Sequence, residues 1–134
     1  MHTVDLVDET FIAAPVSVLA AVVADPDRWS AWWPDRRLEV FMDRGLKGQR
    51  WAVAGDLVGT AEIWLEAYRD GAVLHYYLRA DPARERGQAL SARQADRIRR
   101  SEALAWKRSV WALKSQLEAG RQVGRPVVAR PGAV

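Results

Sequence analysis

Glu66 and His75 are the residues in this chain best placed for acid–base chemistry. If strands flank the pair Asp70-Gly71, a two-residue turn there brings the carboxylate opposite the imidazole. Such a pair can move a proton near neutral pH, provided that both groups sit in a cleft and burial shifts their affinities. Tyr76, the next residue, carries a hydroxyl that can donate or accept a hydrogen bond. Tyr76, Glu66 and His75 are therefore the catalytic candidates. The sequence has no Gly-rich phosphate loop, serine nucleophile elbow or recognised metal motif. With 2 His and 0 Cys, and with His2 at the start of the chain, neither a metal site nor thiolate chemistry is expected. No cofactor is expected either.

Chemistry of a second kind, the binding of apolar molecules, is suggested by tryptophan. Three of the 7 tryptophans fall within Trp29-Ser30-Ala31-Trp32-Trp33-Pro34. Each ring can bury about 150–250 Å². Exposed together, the rings would match the largest apolar patch of a typical monomer, about 300–600 Å². They are therefore either core or the mouth of a pocket, and Trp32 and Trp33 are the better pocket candidates.

These groups need elements to hold them. Thr3 to Ile12 reads as a strand, with apolar and β-branched residues interleaved with acids. Ala14-Pro15 starts a helix whose apolar positions Val16, Leu19, Ala20 and Val23 share one face. Asp25-Pro26 caps and opens a second short helix, which places Trp29, Trp32 and Trp33 on one side before Pro34 ends it. From Leu38 the period changes to two, and Gln49 to Ala54 is the next strand. The turn at Gly55-Asp56 leaves two registers open, with Trp51 opposite Thr60 or Ala61. The hairpin Thr60–Tyr68 and Val73–Ala80 closes through Asp70-Gly71. One face then pairs Leu65 with Tyr76 and Ile63 with Leu78; the other pairs Glu66 with His75 and Trp64 with Tyr77. The acid–base pair thus falls on the outer face, where an ordinary surface pair is the preferred reading.

Beyond Asp81-Pro82 the chain turns helical from about Gln88 to Ala119, with Gly120 as the stop. Trp106, Val110, Leu113 and Leu117 form its core stripe, whereas Leu104 and Trp111 project to the other side among Arg97, Arg100 and Arg108. That side suggests a protein contact, with a homodimer as the candidate. The net charge of +3 divides into −5 over residues 1–78 and +8 over residues 79–134. The two halves are expected to attract each other on packing. Arg93, Arg97, Arg99, Arg100, Lys107 and Arg108 could grip the phosphates of nucleic acid or anionic lipid. Asp96 and Glu102 interrupt them, however, and only Trp111 offers a base platform, so a solvated face is the preferred reading. No apolar run approaches the roughly 20 residues needed to span a bilayer, and no signal peptide is evident, so a cytoplasmic location is expected. Residues 1–120 form one expected domain, and 121–134, with two prolines and no periodicity, an expected flexible tail.

The order strand, two short helices, four strands, long helix, with Phe11-Ile12-Ala13-Ala14-Pro15 leading into the Trp29–Pro34 stretch, resembles the START-like (SRPBCC) superfamily. That superfamily includes the polyketide cyclase/dehydrase and lipid-transport group. The resemblance implies an α+β helix-grip fold in which a curved antiparallel sheet wraps the C-terminal helix around an apolar cavity. Family members usually have seven strands, whereas this chain has room for about five, which implies a smaller or more open cavity. The expected lining is Trp32, Trp33, Trp51, Ile63, Leu65, Tyr76, Leu78, Trp106 and Val110. The leading expectation is a non-catalytic module that holds a small hydrophobic molecule, lipid or polyketide-like, between sheet and helix. The alternatives are a cyclase/dehydratase-type enzyme working by proton transfer and an interaction module using the basic helix.

Overall fold

The computed structural model describes residues 2–83 and 89–119. The elements are β1 (Val4–Ile12), α1 (Val16–Val23), α2 (Pro26–Trp32), β2 (Arg36–Asp43), a 3₁₀ turn (Gly45–Lys47), β3 (Gly48–Gly55), β4 (Leu57–Tyr68), β5 (Gly71–Pro82) and α3 (Ala92–Glu118). The five strands form one antiparallel sheet in the order β1-β5-β4-β3-β2. It is therefore a four-strand meander with the N-terminal strand added beside the last. This is the α+β helix-grip arrangement with the expected order of elements. The expected tail and the Gly120 stop lie outside the described residues.

Alternation decides which face is buried. Ala61, Ile63 and Leu65 of β4 and Leu74, Tyr76 and Leu78 of β5 all point inward and are buried. Trp106, Val110 and Leu113 of α3 join them in one core. Helix α3 lies along β1, tied by side-chain bonds as well as packing: Arg99 Nε donates to the Thr3 carbonyl (2.7 Å), Lys114 Nζ to the Phe11 carbonyl (2.7 Å), and the Ala13 amide to Glu118 (2.8 Å). Asp8 breaks the apolar pattern of β1 because Trp106 Nε1 (3.0 Å) and Lys107 reach it from α3. Burial alone would raise its pKa, but the bonds from Lys107, Trp106 and Thr10 outweigh that and lower it.

Two local expectations are corrected. The β4–β5 ladder is two residues out of the expected register: Trp64 pairs with His75 and Ile63 with Tyr76, and the turn residues are Arg69-Asp70. Gly71 is needed in the strand instead of the turn, because a Cβ there would strike the Ile12 carbonyl of β1. Arg69 accordingly takes the positive φ of 51°. A shift of two leaves every side chain on its expected face. Second, α3 begins at Ala92, later than expected, where Ser91 and Gln94 form a capping box. The period-two segment from Leu38 forms β2, which is largely exposed. The strand is a sheet edge, a bulge falls between Val40 and Met42, and Val40, Phe41 and Met42 are all exposed. Of the two registers left open for Trp51, the one opposite Ala61 is observed.

Candidate functional site

The α2–β2 corner positions the tryptophans. Asp25 caps α2 by accepting from the Asp27 amide (3.0 Å), and Pro26 takes the first turn. Seven residues later the helix ends, and Trp33 leaves it with non-helical backbone angles (φ −135°, ψ 73°). Trp33 is thereby aimed into the space between sheet and α3, while Trp32 remains half-buried at the edge.

Inside, the rings form a stack. Tyr76 and Trp106 lie 3.8 Å apart at 16°, and Trp33 is nearly parallel to both, 6.0 Å from Tyr76 and 6.2 Å from Trp106. Trp51 tilts against Trp33 from behind (5.7 Å), and Trp32 sets its edge towards Trp106 (6.1 Å) and Trp33 (5.5 Å). Offset and edge-to-face contacts of this kind contribute about 0.5–1.5 kcal/mol each beyond area burial. Rings occupy the centre of the grip.

What remains is a cleft of about 250 Å³ at one end, where the α2–β2 corner faces α3. Its walls are Trp32, Trp33, Tyr76 and Trp106, and its rim is Pro34, Asp35, Arg36, Asp56, Ser101 and Glu102. Arg36 clamps that rim. Its Nε donates to Asp56 Oδ1 (2.8 Å), and one terminal nitrogen donates to Asp56 Oδ2 (3.2 Å) and Glu102 Oε2 (2.6 Å). The Arg36 side chain is only 6% exposed. Burial works against its charge, yet the two carboxylates outweigh burial and raise its pKa further above the ordinary value. Gly55, at φ +125°, allows the β3–β4 turn to approach this corner, since a Cβ there would meet the Asp35 carbonyl.

Tyr76 brings the one hydroxyl of the ring stack. Burial pushes its phenol well up, and the Arg36 charge and a Trp33 hydrogen bond only partly oppose that. At neutral pH it is therefore an uncharged group suited to hydrogen bonding.

Four of the expected lining residues, Trp32, Trp33, Tyr76 and Trp106, thus meet around one cleft. The other five, Trp51, Ile63, Leu65, Leu78 and Val110, are packed in the core behind it. Glu66 and His75 do come together, with His75 Nε2 3.1 Å from Glu66 Oε1, but on the outer face of the sheet. His75 is more enclosed than a surface reading expects: its ring stacks on Trp64 at 4.3 Å, and Nδ1 lies 3.4 Å from Glu9. Being consecutive in β5, His75 and Tyr76 point to opposite faces and cannot act on one substrate atom. A second hollow, about 350 Å³, lies on that outer face between Phe41 and Tyr77, but its Glu62 is already held by Arg44 and Arg50. Sequence reasoning missed Arg36, Asp35, Asp56 and Glu102. Arg36 and its partners are 20 and 66 residues apart, so no local pattern joins them.

The architecture is a START-like fold. No protein-family model matches the sequence, and no curated protein matches it. Solved structures do match. The solution structure of a polyketide-cyclase-like protein from Corynebacterium glutamicum superposes with a TM-score of 0.62 at 18% identity, covering 88% of this chain and 93% of that one. The Aha1 dimer from Colwellia psychrerythraea gives 0.61 at 15% identity, covering 89% and 99%. A Deinococcus radiodurans protein gives 0.60 at 12% identity, covering 84% and 97%. At these identities the likeness is one of fold.

Proposed function

We propose that this chain is a START-like binding module that takes one small, mainly apolar molecule in the cleft between the α2–β2 corner and α3. The observation that carries this reading is the Trp33–Tyr76–Trp106 stack, which fills the grip and leaves about 250 Å³ beside it. Ligand sites usually measure about 300–1,000 Å³, so the occupant is a one- or two-ring molecule or a short acyl group. A long-chain lipid or a multi-ring polyketide would have to displace buried rings. Tyr76 supplies the hydrogen bond that orients an oxygen of the ligand.

An enzyme of the cyclase/dehydratase type is the second reading, supported by the polyketide-cyclase-like neighbour and by the position of Tyr76 against the cleft. In that reading Tyr76 donates a proton or hydrogen bond to a carbonyl. The raised pKa keeps it protonated at neutral pH, so it serves as a hydrogen-bond donor and not as a base. Thermal-shift and tryptophan-fluorescence titrations with 2-naphthol and with palmitate test the binding reading. Stabilisation by 2-naphthol and not by palmitate is the expected result. No shift with any small apolar molecule would remove the binding reading.

A further inference from the structure

We propose that the solvent face of α3 docks on an anionic bilayer surface, with Trp111 and Leu104 entering the headgroup layer and a row of arginines binding the lipid charges. At 100° per residue, Arg93, Arg97, Arg100, Leu104, Arg108 and Trp111 fall within about 80° of arc and span about 27 Å of helix. All six are exposed, Leu104 at 53% and Trp111 at 52%. Among the described residues, none of these four arginines has a hydrogen bond or ion pair, whereas the neighbouring cations do: Lys107 holds Asp8, Arg99 holds Asp96, and Lys114 holds Glu118. The helix thus sorts its cations. Those turned towards β1 are used in the fold, and those turned outward have no partner among the described residues.

The apolar pair selects the partner. Leu104 lies between Arg100 and Arg108, a position where nucleic-acid phosphates would give it nothing to pack on. A second copy across a two-fold axis would bring one arginine row against another, with like charges opposed. Anionic headgroups satisfy both parts, since they neutralise the arginines while the interface takes up Trp and Leu. Beside the row, α2 and α3 border a groove of about 330 Å³ with Arg28 and Arg108 at its rim and Ala31 and Ala112 in its wall, which extends the same mixed character. This docking does not depend on what the cleft holds.

Co-sedimentation of the full chain with vesicles tests it, using phosphatidylcholine alone and phosphatidylcholine mixed with phosphatidylserine. Binding is expected only with the anionic vesicles and should weaken as salt rises. Each arginine removed should weaken it roughly fivefold, and the Arg97→Gln/Arg100→Gln/Arg108→Gln variant on the order of a hundredfold. Brominated lipids should quench tryptophan fluorescence in the parent and not in Trp111→Phe, with circular dichroism showing both folded. Absence of binding to anionic vesicles, equal binding to neutral ones, or indifference to the arginine substitutions would each overturn the proposal. So would tight, salt-sensitive oligonucleotide binding unaffected by Trp111→Ala, or a concentration-dependent dimer that Trp111→Ala abolishes.

Discussion

Tyr76 and Trp106 stack with ring centroids 3.8 Å apart and planes 16° from parallel, joining the middle of β5 to the middle of α3. Both rings are buried, and Trp33 lies nearly parallel to each. A grip fold closed in this way is held at its centre by aromatic contact, and the open cleft lies at the edge of the stack.

Trp106→Ala should therefore destabilise the protein by about 3–5 kcal/mol, the range for deleting a buried large aromatic. Tyr76→Phe should cost much less, because the ring stays and only the hydroxyl is lost. Urea unfolding of the two variants measures both. A loss under about 1 kcal/mol for Trp106→Ala would mean that the stack is not structural.

Arg36 should behave as a buried charge with assigned partners. Arg36→Met leaves the Glu102 carboxylate, only 18% exposed, without its cation, and should cost on the order of 3–5 kcal/mol. Arg36→Met/Glu102→Met should recover part of that loss. Additive losses in the thermodynamic cycle would contradict the clamp.

Asp8 gives a pH signature. Its pKa is lowered in the folded protein, so its contribution is complete above the unfolded value near 3.8 and is lost as pH falls through the lower folded value. Asp81, held by the Thr3 amide and His2, titrates at about 2 and adds to the same acid window. Because Asp81 is well exposed, solvent screening keeps its share small. Stability measured from pH 5 downwards should fall more steeply in the parent than in Asp8→Asn. Identical slopes would show that the Lys107–Asp8–Trp106 contact contributes nothing.

The order of elements, the inner face of β4 and β5 and the core stripe of α3 could be read from the sequence because each depends on local periodicity. The hairpin register could not. Asp70-Gly71 is a good turn pair by itself, but Gly71 is required against the Ile12 carbonyl of β1, a strand nearly sixty residues earlier. Long-range contacts also account for the unexpected parts of the site. Trp33 and Tyr76 were recognisable as aromatic candidates, yet only the packed structure shows that they stack on Trp106 and close the grip. Arg36 reads as one arginine among many until Asp56 and Glu102 surround it.

The observed register has its own test. Trp64 and His75 face each other directly and stack at 4.3 Å, so a Trp64→Ala/His75→Ala cycle should give a coupling of about 0.5–1.5 kcal/mol. Coupling indistinguishable from zero would favour the register in which His75 faces Glu66.

The most direct test of the cleft is a titration with 2-naphthol followed through the indole N–H resonances in ¹⁵N-labelled protein. The signals of Trp32, Trp33 and Trp106 should move together and saturate, while those of Trp64 on the outer sheet face and Trp111 on the solvent face of α3 stay fixed. Movement confined to Trp64 would place binding on the outer face of the sheet, and no movement at all would contradict a binding cleft beside the stack.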